Sequence, residues 1–398
     1  MIFDLFHSIA DSEIDGKALG SKKTIENFFD QVKLGEELGI DTVWLAESHF
    51  SSETQKKTSV ATIDKFAGEV GLNCDSFQFM HLLRSATKTI NFGTGIHNIV
   101  GGSGGPISSA ERVNLLSFFN QNFWQDDRTL RVGFASGRFP YQNTPFGIVP
   151  RNELEQDLWP IIKRLIFIES TEIFLRLLRG EELSSDQLTA HLIERDEVER
   201  VFKDRASAIL DKYPWPVRVK PRWEFEVLKL VPHFPKSEKL RLVLGSSDPE
   251  ALELANRLWD VDLFNLSFTP PDQIEKLHAK MIGLKEKWGS SWRRDRLPRT
   301  VLVFIDRNSK KAHELSHFVI DTYIEAMRGT AQVPDKKVLL ERALVGDASE
   351  IIDQLHPDNP RRFNDSDRLM LWFEFNQLQN EVIKDRMKYF FSDVVEKM

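Results

Sequence analysis

The sequence has little cysteine, no surplus of positive charge and no long apolar run. Cys74 is the single cysteine among 398 residues, so the chain can form neither an intramolecular disulfide nor a cysteine-rich zinc site. A formal net charge of −7 disfavours a nucleic-acid partner, because phosphates bind basic surfaces. No apolar run approaches the roughly 18 residues that span a bilayer, and residues 1–7 lack the cationic leader of a signal peptide. We therefore expect a cytoplasmic protein that binds neither membranes nor nucleic acids.

The order of predicted elements indicates an α/β protein. Hydrophobic residues make up 41% of the chain and charged residues 28%, as in globular proteins. The predicted strands cover residues 2–9, 42–46, 89–96, 130–135, 240–244, 261–266, 301–305 and 369–375. Helical patterns cover residues 24–38, 77–85, 108 onward, 152–179, 249–258, 272–288, 309–327 and 378–395. Eight strands interleaved with helices predict a (β/α)8 TIM barrel, and a doubly wound open sheet is the alternative.

Residues 180–235 interrupt this alternation. They hold a charged helical pattern over residues 192–210, followed by prolines at positions 214, 216, 221, 232 and 235. Because the alternation resumes afterwards, we interpret this stretch as an insertion after the helix of the fourth strand. The whole chain, residues 1–398, is then one barrel domain.

Polar residues follow the second predicted strand, on the face where barrel enzymes place their active sites. Glu47 and His49 both lie there. A neutral imidazole at this place can exchange a proton with a substrate near neutral pH, and a histidine that merely caps the barrel rim is the alternative. A carboxylate at the end of a buried strand needs a partner, which makes Glu47 a better hydrogen-bond anchor than a base.

Two turns could hold a phosphate. The fourth strand runs into residues 133–138, where small side chains let a ligand approach the backbone and Arg138 could bind an anion. Residues 245–247 follow the fifth strand and precede a helix, whose first N–H groups suit a phosphate. Ordinary turn chemistry explains the first turn about as well. At the second turn an N-cap by Asp248 is the alternative, and both interpretations can hold together because the cap residue and the anion donors differ.

Other polar residues carry weaker signals. His7 and His97, near the ends of the first and third strands, are expected to line the pocket. The glycine cluster at residues 101–105 matches neither G-x-G-x-x-G nor the Walker A pattern and indicates a rim loop. Because no H-E-x-x-H or comparable ligand cluster occurs, we expect no metal site.

The segment 39–50, which reads GIDTVWLAESHF, resembles the second-strand signature of the bacterial luciferase-like flavin monooxygenases. The resemblance continues through residues 91–95, 106–116, 146–147, 243–247 and 373–375. Each motif is short, but together they keep the family's order on all eight strands and cover most of the chain outside residues 180–235. The resemblance therefore implies the luciferase-like TIM barrel.

The same resemblance implies a reaction. Members of this family bind reduced FMN, which reacts with O2 to give a flavin C4a-hydroperoxide that oxygenates a small organic substrate. The sequence has no reductase-like domain, so a separate flavin reductase would supply the reduced FMN. Two alternatives use the same fold: an F420-dependent oxidoreductase and a non-catalytic flavin-binding partner subunit.

The resemblance also assigns site residues. His49 matches the family's catalytic histidine near the flavin ring. The cofactor-binding residues it implies are Glu47, Thr94, Gly95, Ile96, Ala135, Ser136, Gly137, Arg138, Gly245, Ser246 and Ser247. Luciferases carry a phosphate-binding arginine at the position of Ser136, an acidic residue at Gly245 and a reactive cysteine at Ala135. The last departure argues against light emission.

Two structural features follow from the resemblance. One is a non-proline cis peptide bond at Gly95–Ile96, with an ordinary trans linkage as the alternative. The other is a homodimer built through helices near the start of the barrel. The helix from Thr24 and the helix after His97 carry more apolar residues than one buried stripe needs, which favours that interface.

Overall fold

The computed structural model describes residues 1–57, 65–124, 126–137, 139–233, 237–265, 269–328, 333–361 and 363–398. The strands in this part of the chain are β1 Ile2–His7, β2 Asp11–Ser12, β3 Thr42–Leu45, β4 Gly68–Glu69, β5 Asn91–Asn98, β6 Leu130–Ala135, β7 His191–Ile193, β8 Val217–Val219, β9 Leu240–Leu244, β10 Asp262–Leu263, β11 Arg299–Ile305, β12 Leu344–Gly346 and β13 Arg368–Trp372.

The α-helices alternate with the larger strands. They are α1 Ser21–Glu37, α2 Ser52–Gln55, α3 Ser76–Ala86, α4 Gly105–Asn122, α5 Glu153–Asp157, α6 Trp159–Leu178, α7 Arg195–Phe202, α8 Ala206–Leu210, α9 Pro249–Leu258, α10 Pro271–Lys287, α11 Ser309–Ala326, α12 Lys336–Arg342, α13 Ala348–Leu355 and α14 Asn380–Asp393. Aspartates cap several of them; Asp248, for example, accepts hydrogen bonds from the N–H groups of Glu250 and Ala251 at the start of α9.

The central sheet has the strand order of a barrel. Within the described residues, nine parallel strands follow the order β10-β9-β6-β5-β3-β1-β13-β11-β12. Without β12, this is the chain order of eight strands read around a ring, whereas a doubly wound sheet reverses its order at a switch point. The barrel prediction is confirmed, and the open-sheet alternative is not.

The ring is not closed by a continuous ladder. Between β10 and β11 the described residues form one parallel bridge, in which Asn265 N donates to Pro298 O at 3.0 Å and Thr300 N donates to Asn265 O at 3.1 Å. Residue 266, at the end of the predicted sixth strand, lies outside the described residues. The short strand β12, which the sequence did not predict, pairs with residues 303–305 of β11.

The insertion is a small layer of its own secondary structure. Strands β7 and β8 form an antiparallel pair outside the central sheet, and α7 and α8 lie between them in the chain. The helical pattern predicted over residues 192–210 is therefore only partly right, because residues 191–193 form β7 instead. Residues 234 and 235, at the end of the predicted insertion, lie outside the described part of the chain.

Side chains fill the barrel from its amino end. Near that end, Arg368 Nη1 lies 2.7 Å from Asp4 Oδ1 and 2.6 Å from Asp41 Oδ2, while Trp44 Nε1 donates to Asp4 Oδ2 at 2.7 Å. A second layer, of Phe6, Trp44, Val243, Phe264 and Met370, packs together inside the barrel. Among the described residues, these layers fill the inside of the barrel below the carboxyl ends of the strands, where other TIM barrels have their binding sites.

Candidate active site

A cleft opens at the carboxyl ends of the strands. It holds about 1330 Å³ of empty space, counting the solvent at its open mouth. One side, here called the strand-end wall, consists of Glu47, Ser48, Gly95, Ile96, Asn98 and Gly137. A second group of lining residues, here called the aromatic wall, consists of Phe6, Tyr323, Trp372 and Phe375.

The end of β5 forms the middle of the strand-end wall. The Gly95–Ile96 peptide bond is cis, which confirms the prediction. A Cβ at residue 95 would lie 2.8 Å from Cε2 of Phe6, so only glycine fits against that ring. Thr94 does not line the cleft; its buried hydroxyl donates to Gly133 O at 2.7 Å and ties β5 to β6.

Glu47 is the buried anchor of the strand-end wall. His97 Nδ1 lies 3.0 Å from Glu47 Oε2, His49 Nε2 lies 3.1 Å from Oε1, and the Asn98 N–H donates to Oε1 at 3.2 Å. The Ser76 hydroxyl donates to Oε2 at 3.1 Å. Burial alone would raise the pKa of Glu47, but attraction to His97 and hydrogen bonds from both histidines hold it well below its usual range. The carboxylate therefore stays ionised and holds both imidazoles in place.

His49 stands beside the cleft, next to its lining residue Ser48. Its ring lies 6.3 Å from the rings of Phe50 and Phe146. A Cβ at Gly102 would lie 2.5 Å from His49 Nε2, which explains a glycine in the cluster after β5. The described residues that line the cleft include Ser48 and not His49. The catalytic role of His49 stays a prediction.

His97 and His7 lie behind the walls of the cleft. His97 is fully buried, with Nδ1 at Glu47 and Nε2 3.0 Å from the Ser109 hydroxyl. His7 Nδ1 accepts a hydrogen bond from the Ile9 N–H at 3.0 Å, and burial lowers the pKa of His7. The structure thus places both residues in supporting positions, whereas the sequence placed them on the pocket surface.

The end of β6 adjoins the cleft through Gly137. Its φ of +77° is a left-handed conformation that suits glycine, and a Cβ there would lie 2.6 Å from Nδ2 of Asn98. Asn143 fixes this turn, because its Nδ2 donates to Ser136 O at 2.7 Å and its Oδ1 accepts from Asn98 Nδ2 at 2.9 Å. Ala135 O accepts from the Ile99 N–H at 3.0 Å. Arg138 lies outside the described residues.

The turn after β9 sits behind Ile96. A Cβ at Gly245 would lie 2.0 Å from Cδ1 of Ile96, so the missing side chain leaves room for that residue. The Ser246 hydroxyl accepts from the Asp248 N–H at 3.2 Å, and Ser247 is exposed. Asp248 itself occupies the first free N–H groups of α9. The N-cap interpretation is therefore confirmed, and the Ser246 and Ser247 side chains offer hydroxyl groups to an anion at this turn.

Arg164, the cation next to this turn, is paired with carboxylates. Arg164 lies 2.8 Å from Glu250, 2.8 Å from Glu197 and 3.5 Å from Asp248. Three carboxylates sharing one guanidinium leave a net negative charge. A phosphate at this turn would need a further positive group, and Arg138 is the residue that the sequence offers.

Glu374 supports the aromatic wall and was given no role from the sequence. One of its oxygens, Oε1, accepts from the Ser8 N–H at 2.6 Å, the Ser8 hydroxyl at 2.7 Å and Trp372 Nε1 at 2.9 Å. The signal was a carboxylate between two phenylalanines directly after a buried strand. Such a group needs several donors, and here they come from the lining residues Ser8 and Trp372.

Known proteins share both the sequence pattern and the fold. A family model described as luciferase-like monooxygenase matches residues 2–362. The monooxygenase RslO1 from Streptomyces bottropensis has a TM-score of 0.70 at 16% identity, over 100% of this chain and 99% of that chain. The oxygenating constituent of 3,6-diketocamphane monooxygenase from Pseudomonas putida, solved in complex with FMN, has a TM-score of 0.60 at 12% identity, over 100% and 99%.

A deazaflavin enzyme has the same fold. The coenzyme F420-dependent tetrahydromethanopterin reductase from Methanopyrus kandleri has a TM-score of 0.53 at 12% identity, over 100% of this chain and 99% of that chain. No curated protein sequence matches the chain. Across the described residues, no helix combines the length and hydropathy needed to cross a membrane.

Proposed function

The chain belongs to the luciferase-like monooxygenase family, and on that premise we propose that it is a monooxygenase that uses reduced FMN and O2. Its substrate would be a small organic molecule that receives one oxygen atom. A separate flavin reductase would supply the reduced FMN. Bound reduced flavin would supply the activation of O2, which amino-acid side chains cannot perform.

The observation that carries this proposal is the form of the cleft. Its strand-end wall includes Gly95, which has no side chain and lies against the ring of Phe6, and the neighbouring Ile96. Further aromatic side chains, those of Trp372, Phe375 and Tyr323, line the same cleft. A tricyclic ring is flat, largely apolar and polar at one edge, and these walls match that character. The residues present therefore fit a flavin ring.

The chain's own residues would bind the ring and keep water away. Glu47 fixes His49 and the Asn98 N–H, so the polar end of the strand-end wall is rigid. Trp372 and Phe375 would exclude water from the reacting atoms, which protects a reactive oxygen species from decay. The Ser48 side chain lines the cleft, and its hydroxyl would offer a hydrogen bond to a ligand there. His49, directly after it, would hold or transfer a proton at its imidazole.

The phosphate would lie beyond Gly137, towards the turns after β6 and β9. The proposed contacts are the Ser246 and Ser247 hydroxyl groups together with the Arg138 guanidinium. The negative charge around Arg164 makes a second cation necessary there. This requirement makes Arg138 the residue most important for distinguishing FMN from riboflavin.

The second candidate is an F420-dependent oxidoreductase. The likeness in fold to a coenzyme F420-dependent reductase favours keeping it. F420 transfers hydride without O2, so the two candidates differ in their need for oxygen.

One experiment separates them. The protein is mixed anaerobically with photoreduced FMN or with reduced F420, air is admitted, and the absorbance spectrum is followed. Reduced FMN should bind and give a transient band that free reduced FMN, measured as the control, does not give. Binding of F420 alone would favour the hydride-transfer enzyme, and binding of neither would contradict both candidates.

We also propose a homodimer that uses the outer face of α4. Phe123 is 65% exposed and Leu115 43% exposed at this helix, and Leu82 on the neighbouring α3 is 56% exposed. Burying such side chains against a second copy would remove apolar surface from water. The sequence also pointed to the helix from Thr24. All of α1 is described, and it has no large apolar side chain among its exposed residues.

A further inference from the structure

We propose that the substrate of this cleft is an uncharged molecule that contains a ring, held against the aromatic wall. The inference rests on the proposed function and names the substrate class for the same site. It depends on three observations: the arrangement of the aromatic rings, the pairing of nearby charges, and the hydrogen bonds that fix Trp372.

The aromatic wall is a continuous series of ring contacts. The ring of Phe6 lies 4.7 Å from that of Trp372, Trp372 lies 4.5 Å from Phe375, and Phe375 lies 5.1 Å from Tyr323. Each pair is edge-to-face, with interplanar angles of 61–74°. Successive rings thus meet at steep angles and together provide both ring faces and ring edges. A cyclic molecule can make matching face and edge contacts that a flexible acyclic chain cannot, because aromatic rings attract one another in offset and perpendicular geometries.

Beyond Tyr323 the cleft is lined by aliphatic side chains, namely Leu302, Ala326, Met327 and Leu339. Leu302 and Leu339 are almost fully buried. This end of the cleft is therefore apolar as well, and a ring seated on the wall would be surrounded by carbon atoms.

In the part of the chain that the structure describes, the charged side chains nearest the cleft are already paired. Among the described residues that line it, Glu47 is the sole acid and there is no lysine, arginine or histidine. The Glu47 carboxylate is occupied by two histidines and the Asn98 N–H. At the mouth, Lys65 Nζ lies 2.9 Å from Glu325 Oε1, and each is the sequence neighbour of a lining residue. An ionised substrate would lose its hydration without gaining a partner, which is costly in an apolar site.

Hydrogen bonds fix the aromatic wall in the absence of a ligand. Glu374 Oε1 accepts from Trp372 Nε1 and from the backbone and side chain of Ser8, so the indole cannot rotate without breaking a charge-assisted hydrogen bond. A rigid wall selects by shape, because it does not adapt to a ligand that fits poorly.

The experiment measures binding in the absence of flavin and O2. Isothermal titration calorimetry would compare naphthol, naphthoate and naphthylmethylammonium, which share one ring system and differ in charge. Decanol, which is uncharged and acyclic, is the fourth probe. We expect naphthol to bind at least tenfold tighter than either ion and tighter than decanol. Equal binding of an ion would overturn the charge inference, and tighter binding of decanol would overturn the ring inference.

Variants locate the binding. Trp372→Leu and Tyr323→Leu should each weaken naphthol binding at least tenfold, and Tyr323 lies on a half-buried helix face where the change is easier to tolerate. Trp288→Leu is the matched control, because Trp288 is 39% exposed and does not line the cleft. Unchanged binding by both wall variants, once thermal melting has confirmed that they fold, would refute the placement on the aromatic wall.

A second titration in the presence of saturating oxidised FMN separates this inference from the proposed function. We expect naphthol to bind with FMN present. Competition between the two would put naphthol in the place of the flavin ring and overturn its assignment to a separate substrate position. If FMN itself failed to bind while naphthol still bound selectively, the proposed function would be wrong and the inferred preference for an uncharged ring would stand.

Discussion

Glu47→Gln tests whether the strand-end wall depends on one buried carboxylate. Glu47 receives hydrogen bonds from His97, His49, the Asn98 N–H and Ser76 within 3.0–3.2 Å. Glutamine has almost the same shape but turns one acceptor oxygen into a donor. At least one of the four donors then loses its acceptor, whereas His97 Nδ1, which also lies 3.1 Å from Oε1, can keep a partner. Each buried donor left without a partner costs about 1–3 kcal/mol. We therefore expect the free energy of unfolding to fall by about 1–3 kcal/mol.

Urea denaturation at pH 7, followed by circular dichroism, measures this loss. Glu381→Gln is the control, because Glu381 forms an exposed ion pair with Lys384 that should contribute no more than about 1 kcal/mol. A loss below about 1 kcal/mol for Glu47→Gln would refute the role of Glu47 as an anchor.

The same comparison has a definite pH dependence. The folded protein holds the pKa of Glu47 below its ordinary value of 4.5. The stabilisation from ionised Glu47 is therefore complete above that value and is lost as the pH falls below it. The stability difference between wild type and Glu47→Gln should narrow on acidification. A difference that widened towards low pH would contradict the assignment.

Four further predictions concern single sites. His49→Ala should lower turnover by roughly 10²–10⁴-fold while flavin binding changes only a few-fold; wild-type turnover would make His49 a rim residue. Ser246→Ala and Arg138→Ala should each weaken FMN binding more than riboflavin binding, measured by flavin fluorescence, because only FMN carries a phosphate; equal losses would contradict a phosphate contact. Burial, and then the charge of Arg294, lowers the pKa of His278 to about 4. The contribution of neutral His278 to the free energy of unfolding should therefore be fully present above pH 6.5 and fall by about 3 kcal/mol between pH 6.5 and 4. His278→Gln should remove that part of the slope in urea titrations, and an unchanged slope would show that other groups cause it. Phe123→Asp should convert a dimer to a monomer in sedimentation velocity, and a wild type that is monomeric at all concentrations would refute the dimer itself.

The alternation of strands and helices could be predicted from the sequence. Residues 130–135, 240–244 and 249–258 form β6, β9 and α9 with the predicted bounds. These segments have local signals, such as apolar runs of β-branched and leucine residues and an Asp-Pro helix start. The family could also be predicted from the sequence, since residues 39–50 resemble its second-strand signature.

The shortest strands could not be predicted from the sequence. Strand β12 has three residues and gains its hydrogen bonds from β11, which lies about forty residues earlier in the chain. Likewise, residues 191–193 pair with residues 217–219 across two helices. A strand of three residues has too little local pattern to be recognised, because its stability comes from the partner strand.

The sequence by itself determined the alternation of strands and helices, the strand ends and the set of polar residues that follow them, because periodicity and turn chemistry are local properties. Only the tertiary structure decided which of those residues face the cleft. His97 and His7 follow strands as His49 does, yet both are covered, one by Glu47 and Ser109 and the other by Phe28 and Glu374. Glu374 and Trp372 gained their importance from Ser8, more than 360 positions away in the chain. Orientation and pairing across such distances depend on packing, which no local pattern encodes.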